Sequence, residues 1–327
     1  MTPKCQLSIR RVNESTWILG SMMICEQNCT VAANSISTWE DKAGATFSIR
    51  PMLKSEQELY SGMLGEQEAE ENRIHSIGSS AACWRFGDAY FKVKSWCEGM
   101  DTESNLIAFA RKAVPSLPVP EVYCSWLDKA WNRSFLVLAA VEGKTLDEAW
   151  PSLTDIQRQK VAATVATFCE NLASQTSQKL QNPSGGSVLE PFLTYKKDFA
   201  LPSWIPHPLP PLSQAELHAY LTKLNPETQL KIGDTFYFYH ADLGPTNILL
   251  SEEKEISGII DWESAGFYPR FWIGTKPLVS GGFHLCAEQE LAKKKAWAVL
   301  LASELQDRGF GSDLNMYKEW KKSIGFC

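Results

Sequence analysis

No stretch of the 327 residues approaches the ~20 consecutive apolar residues that a membrane-crossing helix needs. Phe135-Leu-Val-Leu-Ala-Ala-Val141 is only long enough for a buried strand. The opening Met-Thr-Pro-Lys-Cys-Gln has none of the apolar character of a secretory signal. Positive charge is not in excess: 32 Lys and Arg face 38 Asp and Glu, a net charge of −6. That balance argues against a general nucleic-acid binder, which normally presents a basic face. There is no Cys-x-x-Cys pair, and no His or Cys cluster follows the closest two cysteines, Cys25 and Cys29. A zinc site and a disulfide framework are therefore disfavoured, and the nine cysteines are expected to be reduced, mostly buried thiols of a cytoplasmic protein. Repeated glycines are missing from Ile74-His-Ser-Ile-Gly-Ser-Ser80, and no internal repeat or low-complexity tract is evident.

What remains is ordinary for a soluble globular protein, with 44% hydrophobic and 21% charged residues in a length that suggests two domains. The informative part is His240-Ala-Asp-Leu-Gly-Pro-Thr-Asn247 and the apolar run Ile256-Ser-Gly-Ile-Ile-Asp261. Asn247–Ser251 and Ile256–Asp261 read as short strands joined by a polar turn. Folding them about Lys254 sets 251 opposite 257, 249 opposite 259 and 247 opposite 261. Asn247 and Asp261 would then project together from the open end of a hairpin, with Asp242 on the loop entering it. Hard oxygen donors of this kind favour Mg²⁺ over zinc, and such Mg²⁺ usually completes its shell with water and substrate phosphates. A base, an Asn and an Asp for the metal, and a Lys for the phosphates are the parts that phosphoryl transfer requires.

These segments resemble the aminoglycoside phosphotransferase and choline-kinase-like family, relatives of protein kinases, through its His-x-Asp-x-x-x-x-Asn loop and its Ile-Asp-Trp segment. Gly258-Ile-Ile-Asp-Trp-Glu-Ser-Ala-Gly-Phe-Tyr-Pro269 is similar to the form common in filamentous fungi, and the likeness runs from about residue 74 to about residue 275. The resemblance implies an α+β, two-lobed protein-kinase-like fold, with a small antiparallel-sheet N-terminal lobe and a larger, mainly helical C-terminal lobe. It implies Asp242 as catalytic base, Asn247 and Asp261 as metal ligands and His240 as a brace of the loop. ATP and Mg²⁺ would be the cofactors, and a hydroxylated small molecule, a secondary metabolite, the acceptor. No nucleic acid or membrane partner is expected.

The expected division is 1–138 for the nucleotide lobe and 139–327 for the helical catalytic and substrate lobe. Arg85–Lys94 alternates as a strand, with Tyr90, Lys92 and Lys94 on one face and Phe91 and Val93 on the other. A helix follows, capped by Asp101 or Thr102, striped by Leu106, Phe109, Ala110 and Ala113 and ended by Pro115. Glu103 stands in its first turn, so a strand Lys can pair with a helix Glu to hold the α- and β-phosphates. The family pattern points to Lys92, with Lys94 as the alternative. Phe135–Gly143 would run into the hinge, where backbone groups near Ala139 and Val141 would meet adenine. Residues 1–70 are the least legible: Ser15–Ile24 is strand-like and Lys54–Arg73, rich in Glu and Gln, reads as helix. Extending the sheet, covering the cleft and mediating association all stay open for them.

In the C-terminal part, a helix over 152–173 can start at Ser152 with Asp155 or at Thr154 with Gln157. Its expected buried positions are Ile156, Val161, Val165, Phe168, Cys169 and Leu172. Gln181–Ser187 reads as a loop, Pro206–Pro211 as a linker, Ser213-x-x-Glu216 as a capping box, and 288–306 and 315–322 as helices. His-Ala-Asp and Asp-Trp-Glu replace the His-Arg-Asp and Asp-Phe-Gly of protein kinases, which disfavours a protein substrate. Trp262, Glu263, Tyr268, Arg270 and Trp272 are substrate candidates. A cation at Arg270 amid Phe267, Phe271, Phe283 and His284 would repel a polyamine and favour a flat or apolar acceptor. Two other readings stand beside this one: a catalytically silent kinase-fold scaffold, and a glycosidase with Asp242 and Asp261 as its carboxylate pair.

Overall fold

The structure, a computed structural model, describes residues 4–61, 69–194, 206–228 and 230–325. Among them the chain divides into two units, one from residues 4–98, 120–140 and 206, the other from 99–119, 141–194 and 207–325. The expected linear boundary at 138/139 is thus interleaved, because residues 99–119 carry a helix that packs within the second unit.

In the first unit, β1 (Ile9–Asn13), β2 (Thr16–Leu19), β3 (Met23–Gln27), β4 (Ser37–Glu40) and β5 (Thr46–Pro51) form an antiparallel sheet in the order 1-2-3-5-4. After α1 (Lys54–Ser61), a second sheet follows from β6 (Arg73–Ile77), β7 (Ala81–Phe86), β8 (Ala89–Ser95), β9 (Val122–Asp128) and β10 (Arg133–Ala139), in the order 6-7-8-10-9. The two sheets share one core. Trp17, Leu19, Cys25, Trp39, Phe47 and Ile49 of the first meet Trp84, Phe86, Phe91, Val93, Phe135 and Val137 of the second. Trp17 packs edge-on to Phe86 at 4.8 Å between ring centroids, and Trp39 stacks on Tyr123 at 5.7 Å. Ile18, Ile24 and Met52 gather with Tyr60 of α1 on the other face of the first sheet. Residues 9–51 therefore form a sheet of their own, packed face to face on the β6–β10 sheet, not an extension of it. The strand-like Ser15–Ile24 is a hairpin, and the helix expected over 54–73 is observed at Lys54–Ser61, with 62–68 lying outside the described residues. Arg85–Lys94 is also not one strand: Gly87, at φ +56°, opens a two-residue turn that pairs Phe86 with Ala89. The alternation holds from Ala89, with Phe91 and Val93 buried and Tyr90, Lys92 and Lys94 on the opposite face.

The second unit begins with α2 (Glu103–Ala113), capped by Thr102, and continues through β11 (Lys144–Thr145), α3 (Leu146–Ala149) and α4 (Asp155–Ala173). Thr154 and Gln157 form the capping box of α4; Ile156 is 82% exposed, because it falls in the first turn, before α4 reaches the core. β12 (Thr176–Ser177), β13 (Lys179–Leu180), β14 (Leu212–Ser213) and α5 (Gln214–Leu224) follow, α5 with the Ser213–Glu216 box. β15 (Phe236–Tyr239), β16 (Ile248–Leu250), β17 (Ile256–Ile259) and β18 (Gly266–Pro269) carry the motif-bearing segments. α6 (Arg270–Val279), α7 (Leu291–Lys294), α8 (Ala296–Asp307) and α9 (Leu314–Ser323) complete the unit. α2 packs on α4 and on the 262–264 turn, and α4 packs on α8.

Among the described residues, no helix is long and apolar enough to cross a membrane. The eight described cysteines are unbridged, but only Cys5, Cys25 and Cys169 are buried, fewer than expected; Cys327 lies outside the described residues.

Candidate active site

The loop between β15 and β16 is shaped by backbone that few sequences adopt. Ala241 and Asp261 both sit at positive φ, +64° and +66°, in the left-handed region that side chains normally avoid. His240, fully buried, stabilises this geometry from within: its Nδ1 accepts the Asp242 backbone N–H at 3.2 Å, which leaves Nε2–H to donate to the Ile260 carbonyl at 3.1 Å. The imidazole meets the edge of Trp262 at 4.4 Å between centroids. One histidine thus ties the Asp242 loop to the segment that ends in Asp261. Trp297 Nε1 donates to the Leu243 carbonyl at 3.0 Å and fixes the loop to α8.

The β16–β17 hairpin forms, but one residue out of the expected register. Ile248 faces Ile259, Leu249 faces Gly258 and Leu250 faces Ile256, so Ser257 is the extra residue of a bulge and donates its hydroxyl to the Glu142 carbonyl. Asn247 accordingly accepts on its backbone carbonyl from Ile260 N–H at 3.0 Å and does not stand opposite Asp261. The left-handed turn at Asp261 takes the place of direct cross-strand pairing in directing that carboxylate.

Asn247 Nδ2 donates to the Asp242 carbonyl at 2.9 Å and to its carboxylate Oδ2 at 3.0 Å. With the amide nitrogen so committed, Asn247 Oδ1 is turned away as an acceptor. The Asp242 carboxyl is pushed up to about 6, first by burial and then by repulsion from Asp261; the Lys276 ammonium opposes this, and Glu263 and Glu190 add to it. Asp242 and Asp261 are therefore close enough to repel each other. Two carboxylates and an amide oxygen, all partly exposed, are a donor set that suits a hard divalent cation, since Mg²⁺ takes oxygen ligands and keeps several waters. Glu103 also reaches this region, accepting the Trp262 backbone N–H at 3.1 Å from the first turn of α2.

The substrate candidates are placed differently from the expectation. Trp262, Tyr268 and Trp272 are fully buried and offer a ligand no surface. Each polar tip is already bonded: Trp262 Nε1 to the Ile259 carbonyl, Tyr268 Oη to the Ser264 carbonyl and Trp272 Nε1 to Glu190 Oε2. Arg270 donates from Nε and Nη2 to the Gly309 carbonyl and lies over the rings of Tyr237 and Phe310 at 5.3 and 4.7 Å. Its guanidinium braces the α8–α9 connection through that carbonyl. Among these five only Glu263 combines partial exposure with a charge felt at Asp242.

In the first unit, Lys92 pairs across β8 with Leu136 and Cys83, and Lys94 with Ser134 and Ala81. At the end of β10, Ala139 N–H donates to the Glu121 carbonyl at 2.9 Å and Ala140 N–H to the Asp88 carbonyl at 2.8 Å.

A family model described as the phosphotransferase enzyme family matches residues 96–272, more than half of the chain. The chain belongs to the phosphotransferase enzyme family. Its fold is correspondingly α+β and protein-kinase-like, with antiparallel sheet in the first unit and most of its helices in the second. The match spans the Asp242 loop and the Asp261 segment, while the first sheet lies outside it. Among solved structures, an aminoglycoside phosphotransferase from Streptomyces rimosus is 14% identical over 84% of this chain and 100% of its own, with a TM-score of 0.45. A thermostable mutant of another aminoglycoside phosphotransferase, in a ternary complex with AMP-PNP and hygromycin B, is 17% identical over 83% of this chain and 98% of its own (TM-score 0.43). An aminoglycoside-3'-phosphotransferase of type VIII is 17% identical over 77% and 93% (TM-score 0.41). No curated protein sequence matches.

Proposed function

We propose that this phosphotransferase-family chain moves the γ-phosphoryl group of ATP to a hydroxyl of a small molecule, with Mg²⁺ bound by Asn247 and Asp261. The observation that carries this reading is the Asp242–Asn247 contact: one amide holds one oxygen of the carboxylate and leaves its own oxygen for a cation. The acceptor oxygen forms a bond to the γ-phosphorus, the bond from phosphorus to the β–γ bridging oxygen breaks, and ADP leaves with that electron pair. The acceptor proton passes to Asp242, whose raised pKa makes it a stronger base than an ordinary carboxylate while it remains mostly ionised at neutral pH. The cation, when bound, would neutralise charge on the phosphates. Because the Ala139 and Ala140 N–H groups are committed within the first unit, we assign the donor to adenine to Val141, whose N–H has no acceptor among the described residues. Glu263 is the side chain best placed to contact the acceptor.

The test is a screen of hydroxylated small molecules with Mg-ATP, reading ADP formation and a product heavier by one phosphate. Turnover should stop on chelation of Mg²⁺ and return when it is restored. Tight nucleotide binding without turnover of any acceptor, or of water, would instead support the silent scaffold.

Lys92, and not Lys94, is proposed as the phosphate lysine. Lys92→Ala should raise the Kd for ATP by about tenfold or more, consistent with loss of a charge-assisted contact, while Lys94→Ala changes it little. A larger loss at Lys94, measured by calorimetry on both variants, would shift the assignment by two residues.

A further inference from the structure

The two carboxylate oxygens of Asp242 are not equivalent. Oδ2 accepts from Asn247 Nδ2, whereas Oδ1 has no hydrogen-bond donor among the described residues. Oδ1 is the atom left to take an acceptor proton. It lies beside the Gly281–Phe283 turn that follows α6: a Cβ placed on Gly282 would be 3.5 Å from it.

That turn is held at both ends. Ser280 and Phe283 are buried, and Ser280 Oγ accepts the Gly282 N–H at 3.3 Å. The Gly282 carbonyl is pressed against Gly244 of the Asp242 loop, where an added Cβ would come within 2.1 Å of it. Gly281 and Gly282 themselves are exposed. Neither has a positive φ, so glycine is not required there by backbone conformation. What glycine supplies at 282 is space. An acceptor hydroxyl must come within roughly 2.6–3.2 Å of the base, into the volume that a side chain at 282 would share.

We propose that Gly282 is a specificity-determining residue whose missing side chain admits a branched, hydroxyl-bearing carbon, so that the site accepts secondary alcohols. This rests on the phosphotransfer reading above. Gly281 provides an internal control, because a Cβ there meets nothing within 4 Å.

The experiment uses the full chain with Mg-ATP and two probes, ethanol and 2-propanol, each at molar concentration, and measures ethyl phosphate, isopropyl phosphate and inorganic phosphate by mass spectrometry. The wild type should form both alkyl phosphates. Gly282→Val should lower the isopropyl-to-ethyl ratio by about tenfold or more, on the scale by which one buried methyl or methylene discriminates between substrates. Gly282→Ala should lower it less, and Gly281→Val should leave it unchanged. Thermal melts establish that each variant is folded, and Gly282→Ala carries the test should the valine variant not fold. The proposal is overturned if the ratio is the same in folded Gly282 variants, if Gly281→Val moves it equally, or if the wild type releases phosphate to water but labels neither alcohol. Absence of transfer to either alcohol and to water, together with no product from any acceptor of the screen above, would sink the phosphotransfer reading itself, and this inference with it.

Discussion

Replacing Asp242 with Asn is expected to cut phosphoryl transfer by about 10²–10⁴-fold, the usual loss of a general base, while nucleotide affinity stays within a few-fold. The substitution preserves the loop. The backbone N–H of residue 242 still donates to His240 Nδ1, its carbonyl still accepts from Asn247 Nδ2 at 2.9 Å, and an amide oxygen can accept the second bond that Oδ2 takes now. What is lost is the basic Oδ1, replaced by an NH₂ group that cannot take a proton. The variant should also not melt earlier than the wild type. Asp242 has its pKa raised in the folded state to about 6, chiefly by burial, so its ionised form is penalised on folding. That penalty is full above the folded pKa and disappears as pH falls towards the unfolded value of about 4. In metal-free protein the melting temperature of Asp242→Asn should therefore exceed the wild type's at pH 7 and converge with it near pH 4. A collapse of nucleotide affinity in Asp242→Asn would make the residue a metal ligand or a structural element, and would refute its role as base.

The legible part of the site was the part fixed by local chain geometry. His240, Asp242 and Asn247 lie within eight residues of one another, and a histidine that spans a loop by bonding a backbone N–H at one end and a carbonyl at the other leaves a short, specific spacing. The hairpin was legible as two apolar runs around a polar turn, but not its register, because the bulge at Ser257 depends on the Glu142 carbonyl far away in sequence. The aromatic residues after Asp261 misled in the other direction. Trp, Tyr and Phe near a motif look like a binding surface, yet Trp262, Tyr268 and Trp272 are used as core, each with its polar tip satisfied internally. Gly282 was invisible because its contribution is space at the Asp242 carboxylate, and nothing in its neighbours marks it. The N-terminal sheet escaped for a further reason. β2 is buried at all four positions, between the shared core and the Ile18–Ile24–Met52 cluster, so the period-2 alternation that identifies a half-buried strand is absent.

The largest effect on stability is expected at a pair that no motif announced. Lys276, in the α6 sequence Phe-Trp-Ile-Gly-Thr-Lys-Pro, is 3% exposed, and Glu190 is fully buried. Lys276 Nζ donates to both oxygens of Glu190, at 2.8 and 2.7 Å, and Trp272 Nε1 and the Phe192 N–H each donate to one of them at 3.1 Å. The ammonium also lies over the rings of Phe192 and Trp272, at 4.5 and 5.6 Å. The carboxylate is thus satisfied by donors on every side, but its charge is balanced by Lys276. Lys276→Met keeps the aliphatic volume and removes the charge together with its two hydrogen bonds, leaving a buried carboxylate with two neutral donors. Breaking a buried pair from one side costs about 3–5 kcal/mol, whereas replacing both partners can be nearly neutral. At about 2–4 °C per kcal/mol for a domain of this size, Lys276→Met should lower the melting temperature by roughly 10 °C. Glu190→Gln with Lys276→Met should recover part of that loss, since no charge is left buried, although the single Gln oxygen can accept from Trp272 Nε1 or from the Phe192 N–H but not from both. The measurement is a thermal and denaturant double-mutant cycle at pH 7 on the two single variants and the double. A cost below about 1 kcal/mol for Lys276→Met, or a double variant less stable than the sum of the singles, would show that the pair is not the electrostatic unit its geometry describes. The same ammonium opposes the rise in the Asp242 pKa, so the stability of α6 and the charge state of the proposed base are coupled through one side chain.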